Sequence, residues 1–328
     1  MQYTYLGRTG LKVSKLCLGT MNFGVDTDEK ESFRIMDAAL ERGINFYDTA
    51  DIYGWGENSG TTEKIIGKWF SQGNTRRERV VLATKVHEDI CCKEDGPNSA
   101  AGLSLYKIRR HLEGSMKRLQ TDHIELYYMH HIDRNVGWEE LWGALEPIVN
   151  SGTVDYIGSS NFAGWDLAVA QAAATRRNFL GLVCEQHKYN LNCRTPELEV
   201  LPSAKHHGIG VIPYSPLDSG LLKSGLLDGN PVAGSRSQKG EGRIQEMRDT
   251  LERFDNFAKE IGHLQEHIAL AWLLANDAVD SVVIGPRTCE QLENSLKCLE
   301  VNLGEQEMKK LDEIFPGPGG ITPTAYAW

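Results

Sequence analysis

The chain has 328 residues, a formal net charge of -10 and 24% charged residues. This acidic balance argues against a nucleic-acid-binding surface, so an anionic ligand would need a local basic patch. A chain of this length can bury a sufficient core without a metal or a disulfide. The sequence shows neither an N-terminal signal pattern nor an apolar run of roughly 18 residues, so we expect a cytoplasmic protein with no membrane span.

The cysteines and paired histidines point to no special site. The 7 cysteines lack C-x-x-C spacing and several fall in apolar runs, which favours reduced structural thiols in a cytosol. His263 and His267 are spaced for one helix face, but Glu266 is misplaced for a zinc motif and no third ligand is apparent. We therefore predict no metal site.

The first 15 residues predict a small β-hairpin. Tyr3 and Tyr5 alternate with polar residues, residues 8–10 form the turn, and residues 11–15 return. Strand-like and helix-like segments then alternate. The candidate strands are 16–19, 45–47, 80–84, 125–129, 156–160, 182–185, 210–213 and 281–285.

Helical patterns lie between these strands. Apolar residues recur at spacings of three and four on one face in two segments, at 105–119 and at 141–148. Asp28 followed by Glu31 predicts a capped helix start. Thr195 before Pro196 predicts a helix N-cap with proline in the first position.

Eight strands alternating with helices favour one (β/α)8 TIM barrel over residues 1–328, with the N-terminal β-hairpin at 1–15 and a C-terminal tail at 316–328. An open doubly wound sheet is the main alternative, but the expected G-x-G-x-x-G after the first strand is absent. Long connections at 55–60, 88–102 and 215–242 predict loops that cover a ligand or move. The aromatic end of the tail, with Tyr326 and Trp328, is either a disordered terminus or a flap near the pocket.

Four separated polar residues follow strand-like runs. Asp48 and Tyr53 follow 45–47, Lys85 follows 80–84, and His130 follows 125–129. In a parallel barrel the carboxyl ends of the strands share one rim, where catalytic groups gather. Each residue alone also has a structural interpretation, as rim packing or as an ion pair. The set of four is more specific than any member.

Together these residues suit proton donation to a carbonyl oxygen. A phenol has a pKa of about 10, and a nearby ammonium favours its ionised form. Lys85 could lower the pKa of Tyr53, with Asp48 holding Lys85 charged, while His130 orients the carbonyl or relays the proton. Hydride has no source among side chains, so this chemistry requires a nicotinamide cofactor.

The chain resembles the aldo-keto reductase superfamily from residue 5 to the last helix. The matching motifs are Leu-Gly-Thr-Met at 18–21, Gly-Ile-Asn-Phe-Tyr-Asp-Thr-Ala-Asp-Ile-Tyr-Gly at 43–54, Ala-Thr-Lys at 83–85, Leu-Tyr-Tyr-Met-His at 126–130, Gly-Ser-Ser-Asn-Phe at 158–162 and Tyr-Ser-Pro-Leu at 214–217. The resemblance implies that Tyr53 is the general acid, that Lys85 and Asp48 tune it, and that His130 orients the carbonyl. We also expect a substrate pocket of Tyr53, Trp55 and His130 for a small-molecule carbonyl compound.

The same resemblance implies a cofactor site. Ser160, Asn161 and Gln186 would hold the nicotinamide carboxamide, and Tyr214 would stack on the ring. Residues 215–217 would cover the pyrophosphate above a floor at 19–21. The implied contacts are Gly19, Thr20, Met21, Asp48, Ser160, Asn161, Gln186, Tyr214, Ser215, Pro216, Leu217, Gly285, Arg287, Gln291 and Asn294.

Arg287 precedes the predicted last-strand helix. An arginine at a helix N-terminus suits a 2′-phosphate and favours NADPH/NADP+ over NADH. Thr288 with Gln291 also forms a capping box, so Gln291 has a structural alternative. Asn294 and Ser295 stand where the family often carries Glu-Asn.

The residues leave substrate and oligomeric state open. His131 replaces a common Trp or Arg, and residues 129–134 look most like the bacterial branch that includes nucleotide-deoxysugar ketoreductases. A ketoreductase of that kind is one alternative to a simple aldehyde or ketone reductase. Another is a cofactor-sensing, non-catalytic subunit that binds a partner protein. A phosphate-binding barrel isomerase is a third, although it would not need Tyr53 and Lys85 together.

Overall fold

The computed structural model describes residues 1–227 and 241–322. Within them the strands are β1 Tyr3–Tyr5, β2 Lys12–Ser14, β3 Leu16–Gly19, β4 Phe46–Asp48, β5 Val81–Val86, β6 Ile124–Met129, β7 Val154–Ser160, β8 Leu182–Lys188, β9 Gly210–Tyr214 and β10 Val282–Ile284. The helices are α1 Glu29–Glu41, α2 Thr61–Phe70, α3 Leu105–Leu119, α4 Trp138–Asn150, α5 Gly164–Arg176, α6 Val200–His207, α7 Glu241–Glu246, α8 Arg248–Ile261, α9 Gln265–Leu274, α10 Cys289–Leu296 and α11 Glu305–Ile314.

Strands β3 to β10 form one parallel sheet. Each strand from β3 to β8 pairs with the next along the chain, and β10 pairs with β3. A parallel bridge between Val211 and Val279, with the Val211 amide donating to Ala278 at 3.2 Å, links β9 to the segment before β10 and completes the ring. The prediction of a (β/α)8 TIM barrel is confirmed, and an open doubly wound sheet is excluded.

The N-terminal hairpin is also confirmed, and it covers one end of the barrel. Strands β1 and β2 pair antiparallel, with Tyr3 opposite Ser14. The fully buried Leu6 joins the apolar cluster inside the barrel, and the Gly7 amide donates to Asp280 Oδ2 at 2.6 Å. Asp280 lies just before β10, at the end of the barrel where the strands begin. The hairpin therefore closes the end opposite the rim at which the strands finish.

The apolar residues divide between two clusters. Alternate residues of the strands point inward, where they form the small interior cluster of Leu6, Val13, Cys17, Phe46, Ala83, Leu126, Tyr128, Val183, Cys184 and Ile212. The other strand faces pack against the helices in a much larger cluster. Helix α3 shows why this works, because its apolar residues recur on one face and Ile108, Leu112 and Leu119 are buried.

Strand ends differ from the predicted ones in a way that matters for the site. Asp48 and Lys85 were expected just past their strands, but β4 extends through Asp48 and β5 extends to Val86. Both residues have ladder partners, with Asp48 opposite Ala83 and Lys85 opposite Tyr128. Their backbones are thus fixed by the sheet and not by a loop.

The start of the segment before α6 was predicted wrongly. Asp28 caps α1 as expected, since its carboxylate accepts the Glu31 amide at 2.8 Å. Thr195, however, is the first residue of a short 3-10 helix that ends at Glu197, and α6 begins only at Val200. An ion pair between Arg194 and Glu197, 2.7 Å between Nε and Oε1, closes that turn on itself. Most of the predicted 215–242 loop beyond residue 227, and the tail residues Tyr326 and Trp328, lie outside the described residues.

Packing inside the barrel gives a stability prediction. A Cβ at Gly158 would lie 2.7 Å from ring carbons of Tyr128 and 2.9 Å from Cys184 Sγ, both inside the sheet. Gly158→Ala should therefore lower the free energy of unfolding by about 1–3 kcal/mol in chemical denaturation. Gly143→Ala is the control, because a Cβ there meets no atom within 4 Å on α4 and should stabilise by up to about 1 kcal/mol. Equal stability of the two variants would contradict the packing argument.

Candidate active site

Asp48, Tyr53 and Lys85 meet at the rim of the barrel. Lys85 Nζ lies 2.6 Å from Asp48 Oδ2, 3.1 Å from Tyr53 Oη and 2.8 Å from the Thr49 carbonyl oxygen. Tyr53 follows β4 in a turn, in which its amide donates to the Ala50 carbonyl at 3.2 Å. Lys85 is fully buried and Tyr53 is only 8% exposed. The ammonium therefore uses its three donors on a carboxylate, a carbonyl and the phenol.

The charge on Lys85 is secured by its partners. Burial disfavours the ammonium, but Asp48 and Tyr53 outweigh this effect and raise the pKa of Lys85 above its ordinary value. Asp48 is itself held on its other oxygen, since Gln186 Nε2 donates to Asp48 Oδ1 at 2.8 Å. A permanent cation thus lies in hydrogen-bonding contact with the Tyr53 hydroxyl.

The pKa of Tyr53 differs from the sequence-based expectation. Burial raises the pKa of Tyr53 above its ordinary value, and the nearby Lys85 charge opposes this rise without cancelling it. Asp48 offsets part of the effect of Lys85 because it contributes a negative charge nearby. The phenol is therefore neutral in this state, and the adjacent ammonium favours the phenolate only in part.

His130 lies beside the phenol as a neutral ring. Its ring centroid is 6.2 Å from that of Tyr53 in an edge-on arrangement. Burial, with the charges of Lys85 and of the neighbouring His131 adding to it, holds the pKa of His130 well below its usual range. Its Nδ1 atom is buried and has no hydrogen-bond partner among the described residues. Trp55, which was expected to line the pocket, is 42% exposed, and its ring centroid is 6.0 Å from that of Tyr53.

A second buried network supports the turn that carries Tyr53, and the sequence did not indicate it. His111 Nδ1 on α3 lies 2.6 Å from Asp51 Oδ2, and both side chains are buried. The Asp51 amide donates to the Lys85 carbonyl at 3.3 Å, so the pair is joined to β5, the strand that carries Lys85. Burial raises the pKa of Asp51 while His111 opposes the rise. The two residues are 60 positions apart, and no local pattern links them.

The expected carboxamide contacts converge around Asn161. Asn161 Nδ2 donates to the His130 carbonyl and to Ser160 Oγ, both at 3.1 Å, and Tyr214 Oη donates to Asn161 Oδ1 at 2.8 Å. Asn161 has a positive φ of 60°, which an asparagine tolerates better than most residues. Gln186 completes the group through its bond to Asp48. Strands β6 to β9 therefore bring these side chains together beside Asp48.

The segment after β9 contains a polar cluster that sequence reasoning missed. Residues 215, 218 and 219 all have positive φ, and the Asp218 carboxylate is buried there. It accepts from Arg243 Nη2 at 2.7 Å and from Asn192 Nδ2 at 3.1 Å, and Lys188 Nζ lies 3.7 Å away. Arg243 follows a segment of no clear period, so nothing in the sequence indicated its partner.

At the last strand, the residues expected near the adenosine end have protein partners. Arg287 Nη2 lies 2.9 Å from Asp26 Oδ2. Gln291 Oε1 accepts the Arg287 amide at 2.9 Å, while Thr288 Oγ1 accepts the Gln291 amide at 3.2 Å, so the structural alternative for Gln291 is real. Asn294 is bound on both sides of its amide, by Glu266 at 3.1 Å and His267 at 3.0 Å.

The floor residues lie beside Asp48. Thr20 Oγ1 donates to the Asp48 carbonyl at 2.8 Å, and Thr20 is fully buried. A Cβ at Gly19 would lie 2.6 Å from Val283 Cγ1, so this glycine is required by the contact between β3 and β10. Gly285 follows β10, and its carbonyl accepts from Asn22 Nδ2 at 3.1 Å. Met21 comes shortly after β3, and Pro216 and Leu217 come shortly after β9, at the rim where these strands end.

Comparison with known proteins identifies the family. The model of the aldo/keto reductase family matches residues 15–315. The chain belongs to the aldo/keto reductase family. It is therefore an oxidoreductase of a family that acts on carbonyl compounds and generally uses NAD(P)H.

Three relatives illustrate the range of the family. The chain is 62% identical to the uncharacterized oxidoreductase YrpG of Bacillus subtilis over 100% of both chains. It is 34% identical to a probable voltage-gated potassium channel subunit beta of Oryza sativa, over 92% of each. It is 29% identical to the versiconal hemiacetal acetate reductase of Aspergillus parasiticus, over 98% of this chain and 99% of the relative. Proteins of similar length thus carry names of quite different roles.

Two further findings concern the remaining predictions. All seven cysteines are free thiols. Across residues 1–227 and 241–322, none of the helices combines the length and the apolar character that spanning a bilayer requires.

The low pKa of His130 generates a prediction about stability and pH. Below about pH 6.5 the unfolded chain binds a proton at residue 130 that the folded protein excludes, so acidification should lower the free energy of unfolding. This loss should approach, at most, about 1.4 kcal/mol per pH unit until the folded pKa is reached. His130→Gln should reduce the decline between pH 7 and pH 5 in denaturant titrations, whereas the exposed His206→Gln should not. An identical decline in all three proteins would contradict the assignment.

Proposed function

We propose that the protein reduces an aldehyde or ketone to an alcohol with NADPH, with Tyr53 as the general acid. The observation that supports this most strongly is the 3.1 Å contact between Tyr53 Oη and the buried Lys85 Nζ, itself paired to Asp48 at 2.6 Å. A phenol held against a fixed ammonium suits proton donation to an oxygen that becomes negative. A structural ion pair would not need a tyrosine hydroxyl beside it at the rim.

Proton transfer can be followed through the residues of this chain. A carbonyl oxygen placed beside Tyr53 Oη would receive the phenolic proton, and the resulting phenolate would be stabilised by Lys85. A dihydronicotinamide, when bound, supplies hydride to the carbonyl carbon. His130, neutral because its pKa is lowered, can donate one hydrogen bond to the same oxygen without adding a charge. The tautomer that does so leaves the other ring nitrogen unprotonated.

The chemistry of the donor set suits a nicotinamide dinucleotide. The amide of Asn161 and the hydroxyl of Ser160 provide the hydrogen-bonding groups that a carboxamide needs, and the partly exposed Tyr214 offers a ring face beside them. Arg243 and Lys188 both lie close to one anion, the Asp218 carboxylate. This carboxylate directly follows residues 215–217, the segment assigned to the pyrophosphate. We propose that Arg287 meets the 2′-phosphate, in exchange for part of its contact with Asp26.

The acid assignment predicts the effect of one hydroxyl. Tyr53→Phe should lower kcat for aldehyde reduction by roughly 10²- to 10⁴-fold, the usual contribution of a general acid. NADPH binding, followed by quenching of tryptophan fluorescence, should persist. Tyr127→Phe is the matched control, because it removes a buried hydroxyl that lies away from the rim. That hydroxyl donates to the Ile108 carbonyl at 3.3 Å. Full activity of Tyr53→Phe would defeat the assignment.

Cofactor preference gives a second prediction. Arg287→Ala should weaken NADPH binding by about 1–3 kcal/mol, the range for a charge-assisted contact, and should leave NADH binding nearly unchanged. Arg42→Ala serves as the control, since Arg42 also pairs with a carboxylate, 2.7 Å from Glu293 Oε1. Titration by fluorescence measures both dissociation constants. Equal losses for the two cofactors would remove the 2′-phosphate role.

A non-catalytic, cofactor-sensing role is a second candidate. The relative named as a probable potassium channel subunit beta, 34% identical, is the observation that favours it. The intact Tyr53, Lys85 and Asp48 contacts favour turnover instead. A stable partner in a pull-down, together with no oxidation of NADPH across a broad carbonyl panel, would support the sensing role.

We further propose that residues 1–328 act as one domain in the cytoplasm, where free thiols persist.

A further inference from the structure

Three histidines form a continuous group next to the phenol. The ring centroids of His130 and His131 are 5.2 Å apart with nearly parallel planes, and His87 lies 5.3 Å from His131. The ring centroid of His130 in turn lies 6.2 Å from that of Tyr53. His131 is partly exposed, so this group leads from the buried phenol to solvent on the side of the 88–102 loop.

A single carboxylate is held by the outer two rings. Glu88 Oε1 lies 3.2 Å from His87 Nδ1 and 3.4 Å from His131 Nε2. The Glu88 side chain is 31% exposed, so its charge faces solvent at this end of the group. These two close contacts place the Glu88 carboxylate against the outer two rings of the group.

His131 does not neutralise the negative charge of Glu88. Burial lowers the pKa of His131, the Glu88 charge opposes this, and His87 adds to the lowering, so the net direction favours a neutral His131 ring. Among the residues that the structure describes, the polar contacts of the Glu88 carboxylate are with these two imidazoles.

Nearby cations form their hydrogen bonds and ion pairs with groups other than Glu88. Lys85 is paired with Asp48, and Arg110 is paired with Asp95. The buried Lys107 donates to the carbonyls of Ser99 and Ala100 at 3.0 and 2.7 Å. Its charge also interacts electrostatically with the carboxylates of Asp51, Asp89, Glu88 and Asp95. The first residues of the 88–102 loop are themselves acidic, with Glu88, Asp89, Glu94 and Asp95 against Lys93 alone.

We propose that Glu88, positioned by His87 and His131, is a specificity-determining residue that makes the carbonyl site select against anionic substrates. The inference rests on the proposed reductase function and names the substrate class for that site. Carbonyl compounds bearing a phosphate, a carboxylate or a nucleoside diphosphate near the reacting carbon are disfavoured, and uncharged ones are preferred. A nucleotide-linked keto-sugar is thereby a poor candidate, in contrast to the alternative raised by the resemblance of residues 129–134.

The size of the effect follows from the distance between like charges. A substrate anion that came within roughly 8 Å of Glu88, at a partly exposed site with an effective dielectric constant of about 20 to 40, would be disfavoured by roughly 5- to 30-fold in an equilibrium constant. Salt screens such a repulsion, since the Debye length is about 10 Å at 0.1 M ionic strength. Both the charge and the salt dependence can be measured.

The test compares two benzaldehydes of similar shape, uncharged 4-nitrobenzaldehyde and anionic 4-carboxybenzaldehyde. NADPH oxidation gives kcat/KM for each with the wild-type protein and with Glu88→Gln, which keeps the size and removes the charge. The ratio of uncharged to anionic kcat/KM should fall by roughly 5- to 30-fold in Glu88→Gln, chiefly because the anionic aldehyde improves. Glu94→Gln, an exposed carboxylate of the same loop, is the matched control and should leave the ratio within about twofold of wild type.

A measurement on the wild-type protein keeps the test informative if the variant folds poorly. The wild-type ratio should shrink as ionic strength rises from about 0.02 to 0.5 M. An unaltered ratio in Glu88→Gln, an equal change in Glu94→Gln, or a ratio insensitive to salt would each overturn the role of Glu88 while leaving carbonyl reduction intact. Failure of the wild-type protein to reduce either benzaldehyde with NADPH would instead refute the proposed reductase function, and this inference with it.

Discussion

The contact between the Lys85 ammonium and the Asp48 carboxylate is the interaction on which the rest of the rim depends. Both groups are almost fully inaccessible to solvent, so neither is stable there without the other. Removing one partner of such a pair costs about 3–5 kcal/mol, because a buried charge is left uncompensated. The pair joins strands β4 and β5, and its third partner is Tyr53. The same hydrogen bonds therefore stabilise the buried ion pair and orient the Tyr53 hydroxyl.

Neighbouring elements hold this pair in place from both sides. Gln186 on β8 fixes the second oxygen of Asp48 across the barrel, which requires the ring of strands to be closed. On the outer side, the Asp51 and His111 pair anchors the turn between Asp48 and Tyr53 to α3. The phenol is thus positioned by a sheet and by a helix and not by a free loop. Such support from rigid elements is what keeps a proton donor within bonding distance of its target.

What the sequence could predict follows from the distance over which each signal acts. The strand-helix alternation and the residues at strand ends are local, and parallel strands bring their carboxyl ends together, so Asp48, Lys85 and His130 could be expected at one rim. The pairs Asp51 with His111, Asp218 with Arg243 and Glu88 with His131 join residues far apart along the chain. No spacing announces such partners, because they depend on how α3 and the loops pack. The 3-10 turn at Thr195 was mistaken for a helix start for a related reason, since an Arg194 and Glu197 contact outweighed a short capping pattern.

The raised pKa of Tyr53 bears on the direction of the proposed reaction. A phenol whose pKa burial raises holds its proton until negative charge develops on the bonded oxygen, which suits donation during carbonyl reduction. The reverse reaction would need the phenolate as a base, and burial of that anion makes it less populated. Lys85 reduces this difference without removing it, because its charge is shared with Asp48. The electrostatics of the three residues together thus favour a proton donor over a proton acceptor at the rim, which agrees with the proposed carbonyl reduction.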